Sequence, residues 1–247
     1  MVKIILHGTG AGHPSADRGA SAASVTFENG AVLLLDTGEG CSRALLRDGV
    51  DPGSIGWTAI SHMHADHWAG FPNLVMGWVL GGRTDPVEVF LPPETEEFFR
   101  NILIASYLVP ERRSFAINFH ALELFSLPDG WTLRPFRTSH LDKHRTTAEI
   151  LGLSFPSFGY ILEKNGQKIV FSQDLASESD LQAELPGAQL VICELAHINP
   201  ARMLHLADKN GVKKVLFTHV PPDPPELPYM VTDVEWTVAH DGMTIKL

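Results

Sequence analysis

Four metal-ligand side chains fall within six residues at His62-Met63-His64-Ala65-Asp66-His67, directly after the short apolar run that ends in Ile60-Ser61. Imidazole nitrogen and carboxylate oxygen suit zinc and related first-row ions. Residues two apart in an extended stretch point the same way, so His62 and His64 can grip one ion. Asp66 and His67 lie past a bend and can reach a second. A polar loop rich in histidine by chance rarely follows a buried strand at this spacing. The chain must therefore fold so that a strand delivers this segment to an edge where other ligands converge.

Those ligands must come from distant sequence. Three candidates each follow a strand-like run: His140 after Thr132 to Arg137, Asp174 after Lys168 to Ser172, and His219 after Val215 to Thr218. Side chains at the ends of neighbouring strands converge on a shared edge. His120, His144, His205 and His240 lack this placement and read as surface or packing residues.

Strand and helix signals alternate along the chain. Val2 to Leu6 reads as a first strand, leading from Met1. Ser24 to Phe27 and Ala31 to Leu35 form a hairpin around Asn29-Gly30, and a second hairpin turns at Asn165-Gly166 between Gly159 to Glu163 and Lys168 to Ser172. Trp57 to Ser61, Val87 to Leu91, Asn118 to Leu124, Leu190 to Glu194 and Met243 to Leu247 are further strands. Helices are expected over Cys41 to Asp48, with Ala44, Leu45 and Leu46 facing a core, and over Gly70 to Leu80. Two more are expected over Glu94 to Val109, started by Pro93, and over Pro200 to Asn210, stopped by Gly211. The prolines from Val220 to Pro228 read as a stiff surface loop. The pattern is α/β, with sheets and outer helices in a single domain spanning 1–247.

Composition narrows the partners. The 247 residues carry a net charge of −10, which argues against a surface that grips long nucleic acid by phosphate neutralisation. A small anionic substrate stays open, because bound ions would dominate the local field. Two cysteines, Cys41 and Cys193, suggest a reducing, cytoplasmic setting rather than a disulfide framework. No run approaches a membrane span, so no membrane partner is expected. A homodimer is compatible with the sequence.

With these residues in view, the chain resembles the metallo-β-lactamase superfamily and, within it, the ribonuclease Z-like branch. Leu34-Leu35-Asp36-Thr37-Gly38-Glu39-Gly40-Cys41 resembles that branch's motif around a structural aspartate, and Ile60 to Pro72 resembles its main metal motif. Gly8-Thr9-Gly10 with Pro14 and Arg18, Ser139-His140, Ser172-Gln173-Asp174, Thr218-His219 and the closing Asp241 to Ile245 match in order. The resemblance implies a four-layer αββα sandwich. It implies one metal on His62, His64 and His140, a second on Asp66, His67 and His219, and Asp174 between them. Asp36 would orient ligands from beneath.

The implied activity is that of a dinuclear metal-dependent hydrolase. Two divalent ions, zinc first and manganese or iron as alternatives, would share a bridging hydroxide, with Asp66 orienting it and accepting its proton. A phosphodiester, small or cyclic nucleotide-like, is the leading substrate. Lactonase, thioesterase and sulfatase activities are alternatives on the same ligands, and a non-catalytic metal-binding sensor or scaffold is a third reading. The family's His-Glu-Ala-Thr motif, which supplies the leaving-group acid, reads Cys193-Glu194-Leu195-Ala196-His197 here. The glutamate is in register and cysteine holds the histidine's place. His197 is then either the donor or a structural histidine capping the next helix. Transfer RNA is expected not to be the substrate. Ala16 and Gly19 stand where RNA-processing enzymes carry lysine and asparagine, and only 18 residues separate His140 from Gly159, too few for a long RNA-gripping arm. Lys143, His144 and Arg145 in that insert, with Arg18, form either a solvated basic lid or an anion contact.

Overall fold

The computed structural model describes residues 2–227 and 233–247, so Met1 and Pro228 lie outside the described residues. Along the chain come β1 (Lys3–Gly8), β2 (Ala22–Thr26), β3 (Val32–Leu35), α1 (Cys41–Arg47) and β4 (Ile55–Ala59). Next are α2 (Ala65–Trp68), α3 (Phe71–Leu80), β5 (Val87–Leu91), α4 (Glu96–Ala105) and β6 (Ile117–Ala121). A second stretch holds β7 (Phe125–Ser126), β8 (Thr132–Thr138), α5 (Arg145–Leu151), β9 (Ser157–Lys164) and β10 (Gln167–Phe171). It continues with β11 (Leu190–Glu194), α6 (Pro200–Lys209), β12 (Lys214–Thr218) and β13 (Glu235–Val238), and β14 (Met243–Lys246) closes the chain. Two units result: unit 1 is residues 1–122 with 240–247, and unit 2 is residues 123–239.

Unit 1 is built on a seven-stranded sheet in the order β14-β1-β2-β3-β4-β5-β6. Pairing is antiparallel from β14 to β3 and parallel from β3 to β6. Every residue of β3 is buried, as a strand covered on both faces requires. The hairpin into β3 turns at Gly30 (φ 84°) and closes with Phe27 N–H donating to Ala31 at 2.9 Å. Ile5, Leu34, Val87 and Val89 pack with Leu45 of α1, Phe71, Leu74, Val75 and Trp78 of α3, and Phe99 and Leu103 of α4. Leu46 departs from expectation: it is 65 % exposed, because Cys41 and Leu45, one helical turn apart, take the inward face of α1. Helix α4 is also shorter than expected. Glu94 adopts φ 65° and Tyr107 φ 58°, left-handed conformations that break the helix at both ends.

Unit 2 repeats the plan, with order β13-β12-β11-β10-β9-β8-β7, antiparallel from β7 to β10 and parallel from β10 to β13. The β9–β10 hairpin turns through Asn165 (φ 49°) and Gly166 (φ 82°), the two positive φ angles of a tight hairpin. Helix α6 starts at Pro200 behind an Asn199 cap that accepts from Arg202 N–H at 3.0 Å, and Gly211 (φ 74°) ends it. Its Met203, Leu204 and Ala207 pack with Val191, Val215 and Phe217. Among the described residues no helix is long and apolar enough to cross a membrane.

Candidate metal centre

In both units, adjacent parallel strands bring their C-terminal ends to one edge of the sheet, where open α/β sheets place their sites. In unit 1, β3 leads to Asp36 and neighbouring β4 leads to the His62–His67 segment. In unit 2, β10, β11 and β12 lead to Asp174, Glu194 and His219. Three of these turns are left-handed at non-glycine residues: Asp36 (φ 58°), Gln173 (φ 46°) and His219 (φ 52°). Each costs on the order of 1–3 kcal/mol and persists only where surrounding contacts hold it.

Unit 1 organises its candidate ligands around Asp36, which is fully buried. Oδ1 accepts from Ser61 N–H at 2.7 Å, and Oδ2 accepts from Ser61 Oγ at 2.9 Å and from His67 Nδ1. Nδ1 of His67 is thereby the donor, which makes Nε2 the atom that could bind a metal. His62 Nδ1 meets Ser61 Oγ at 3.0 Å, with the same consequence. The rings of His64 and His67 lie 4.8 and 4.1 Å from that of His62. His67 Nε2 is 3.4 Å from Asp66 Oδ2. The backbone under this cluster is compressed. Gly70 N–H donates to Thr37 at 2.8 Å, and a Cβ on Gly70 would stand 2.3 Å from the Gly38 carbonyl oxygen. Above it, the Gly-rich loop after β1 passes so close that a Cβ on Gly12 would touch Asp66 at 3.4 Å. One carboxylate clamps that loop: Asp241 accepts from Thr9 N–H, Thr9 Oγ1 and Gly19 N–H at 2.7–2.9 Å. Arg18 donates to Thr9 Oγ1.

Unit 2 organises its candidate ligands around Asp174. Its Oδ2 faces His140 Nε2 at 3.5 Å and its Oδ1 faces His219 Nε2 at 3.4 Å, all three side chains being buried. His140 turns Nδ1 to the Leu175 carbonyl at 3.3 Å. Asp180, which no sequence signal marked, ties the two ligand loops together. It accepts from Ser139 N–H (3.1 Å), Ser139 Oγ (2.9 Å) and Ala176 N–H (3.0 Å). Ligand atoms of Asp174, His219 and His197 lie within 4.8 Å of one another.

The donor set fits a metal. Two atoms about 2.0–2.2 Å from one zinc ion at a tetrahedral angle stand about 3.3–3.6 Å apart. The His67–Asp66, His140–Asp174 and His219–Asp174 pairs lie within that interval and outside the usual N–H···O range of about 2.7–3.2 Å.

The His197 ring meets that of His140 edge-on (centroids 4.7 Å) and lies tilted near that of His219 (5.9 Å). Buried Glu194 takes its backbone N–H at 2.9 Å and its Nδ1 at 3.3 Å, and reaches Leu175 N–H at 3.4 Å. Donating a hydrogen bond to the Glu194 carboxylate raises the His197 pKa above the ordinary histidine value, against the effect of burial. Cys193 is wholly buried, and burial pushes its thiol well up, so it offers no proton at neutral pH. The α6 cap is Asn199, not His197. In the insert after His140, Arg145 pairs with Asp142 at 3.5 Å and lies over Phe155 at 5.1 Å.

The two seven-stranded mixed sheets, the His-x-His-x-Asp-His segment at a strand end and the buried aspartate beneath it define a metallo-β-lactamase fold protein. Solved structures share the fold across the chain. The short form of human tRNase Z aligns with TM-score 0.79, 23 % identity, and 99 % and 98 % of the two chains covered. YhfI from Bacillus subtilis aligns with TM-score 0.77 and 17 % identity over 99 % and 98 %. A diphosphatase of the PhnP family gives 0.73 and 18 % over 100 % and 98 %. The α/β metallo-β-lactamase fold expected from the sequence is thus the fold of these neighbours.

The model of one family, anti-Pycsar protein Apyc1, matches residues 2–205, and the chain belongs to that family. Among curated relatives, ribonuclease Z of Methanococcus aeolicus is 31 % identical over 163 residues, covering 66 % of this chain and 47 % of that protein. Ribonuclease Z of Pyrococcus abyssi is 28 % identical over 216 residues, covering 87 % and 64 %. The chain therefore spans about half to two thirds of the length of these relatives.

Proposed function

We propose that residues 1–247 act as one domain, a dinuclear metal-dependent hydrolase that cleaves a phosphodiester of small or cyclic nucleotide-like size. His62, His64 and His140 would hold one ion, Asp66, His67 and His219 the other, and Asp174 both. The observation that carries this reading is the Asp174 carboxylate, which turns one oxygen to each of two histidine Nε2 atoms at 3.4–3.5 Å. Zinc suits the nitrogen-rich set, and manganese or iron would also bind it. Bound divalent ions would activate a water near neutral pH and neutralise charge on the phosphoryl oxygens.

The chain's own groups divide the remaining work. Asp66, with 16 % of its side chain exposed, accepts the proton of the attacking water. His197 protonates the departing oxygen as its bond to phosphorus breaks, and Glu194 holds the ring in place. The free, buried thiols of Cys41 and Cys193 accord with a cytoplasmic setting. The expectation against transfer RNA gains no support from the curated relatives, which are named ribonuclease Z.

The test is metal analysis of native, unchelated protein, followed by a substrate panel on the loaded form. The panel holds cyclic and linear phosphodiesters, a precursor transfer RNA, phosphomonoesters, a lactone, a thioester and a sulfate ester. About two metal equivalents and preferential diester turnover are expected. Metal content near zero, or preference for a non-phosphate ester, would sink the reading. Asp66→Ala should cut kcat roughly 10²- to 10⁴-fold with the circular dichroism spectrum retained; undiminished turnover would remove Asp66 from the base role.

A further inference from the structure

Unit 2 carries a cleft of about 610 Å³ lined by residues 176–178, 197–202 and 225–226. That is the size range of small-ligand sites, about 300–1,000 Å³. His197 lines it, and the same ring meets His140 edge-on, so the cleft opens where the proposed proton donor stands.

The polar groups of the wall are unequally engaged. Asn199 spends its carbonyl oxygen on the N-terminus of α6. Glu178 is different. Only 15 % of its side chain is exposed, yet its nearest cationic atom is Arg202 Nη1 at 3.8 Å, beyond hydrogen-bond reach, on a side chain 77 % exposed. Among the described residues its carboxylate accepts no hydrogen bond. A carboxylate this sheltered from water, with its acceptor sites unspent, gains when a donor arrives. Glu226, exposed on the rim, adds a second negative charge, and Arg202 is the one Lys or Arg side chain lining the cleft among the described residues. An anionic group is disfavoured here. An uncharged group carrying hydroxyls fits.

We propose that this cleft receives the leaving group and that Glu178 accepts a hydrogen bond from the hydroxyl beside the departing oxygen. The favoured substrate is then a phosphodiester whose leaving side is a ribose-like sugar with that hydroxyl in place. The assignment rests on the phosphodiesterase reading and on His197 as donor. A buried carboxylate that binds a ribose hydroxyl is an established device in nucleotide sites. A contact of this kind, made in the transition state and lost with the hydroxyl, sets specificity through unpaired polar groups.

The test compares adenosine 3′,5′-cyclic monophosphate with its 2′-deoxy counterpart on the metal-loaded enzyme. Wild type should favour the ribose form in kcat/KM by roughly ten- to a hundredfold, the range for one hydrogen bond to a charged group. In Glu178→Ala the ratio should fall to near one. Glu178→Gln, which keeps one acceptor oxygen, should retain an intermediate ratio. Calorimetric titration with adenosine and 2′-deoxyadenosine should show the same ordering of affinities without any turnover. A wild-type ratio near one, or a ratio preserved in Glu178→Ala, overturns the proposal. Lack of turnover of every diester by the loaded wild type would instead defeat the phosphodiesterase reading, and the two nucleoside titrations would still decide the role of Glu178.

Discussion

In the proposed mechanism, His197 is the residue on which departure of the leaving group turns. Glu194 binds it through both backbone and ring, which fixes an exposed imidazole beside the buried His140 and His219. His197→Ala should slow diesters with poor, alkyl leaving groups by roughly 10²- to 10⁴-fold and activated aryl esters far less. Rates across esters of graded leaving-group acidity check this, and equal slowing throughout would remove the donor role. His7 makes a separate claim on stability. It is fully buried, with Nδ1 on Asp48 at 2.7 Å and Nε2 on Ser24 at 2.8 Å. Burial lowers its pKa below the ordinary 6.5, against the opposing pull of Asp48. The unfolded chain then takes up a proton as pH falls through 6.5 while the native state does not. This residue's contribution is therefore complete above 6.5 and is lost below it. Denaturant melts of wild type and His7→Gln between pH 8 and 5 should show the variant less stable, with the gap narrowing toward pH 5. A gap independent of pH would contradict this sign.

Elements set the site through short connections rather than long ones. Asp180 links the loop after β8 to the loop after β10 with three hydrogen bonds, each contributing roughly 0.5–1.5 kcal/mol net. Asp180→Ala frees both loops and should weaken metal binding by roughly 10- to 100-fold, as loss of a ligand-orienting contact does. Asp180→Asn keeps an acceptor for the two backbone donors and can donate to Ser139 Oγ, so it should restore most of the affinity. Competition with a chromophoric chelator measures both. An Asn variant as weak as Ala would show that charge, not hydrogen bonding, is what matters there.

For the whole molecule, the chain leaves unit 1 after Leu122 and returns at His240 to add β14 beside β1, where Val2 and Leu247 exchange backbone hydrogen bonds at 2.8 and 3.0 Å. The loop over Asp66 is clamped by Asp241 from that returning segment, so the surroundings of the His62–His67 segment depend on a residue far along the chain. Metal on the proposed ligands would bind only the folded chain and so add to its stability. At a hundredfold excess over Kd the gain is about 2.7 kcal/mol. Removing metal with a chelator should lower Tm by several degrees, and adding back zinc should restore it. An unchanged Tm would mean that the ions contribute nothing to the fold.

Local chemistry alone determined much of this. The Asn-Gly hairpins, the Pro200-to-Gly211 helix, the wholly apolar β3 and the His62–His67 segment are legible because φ preference, capping and hydrophobic period act within a few residues. The placement of the candidate ligands His140, Asp174 and His219 just past the ends of β8, β10 and β12 was legible from their order along the chain. Tertiary structure decided what depends on partners far away in sequence. It ended α4 at left-handed Glu94 and Tyr107, turned Leu46 outward, and paired β13 with β12. It also recruited Asp180 and Asp241 as clamps and left Glu178 sheltered in a cleft. None of these carries a local pattern, because a hydrogen bond or a buried charge is defined by what the rest of the fold brings to it.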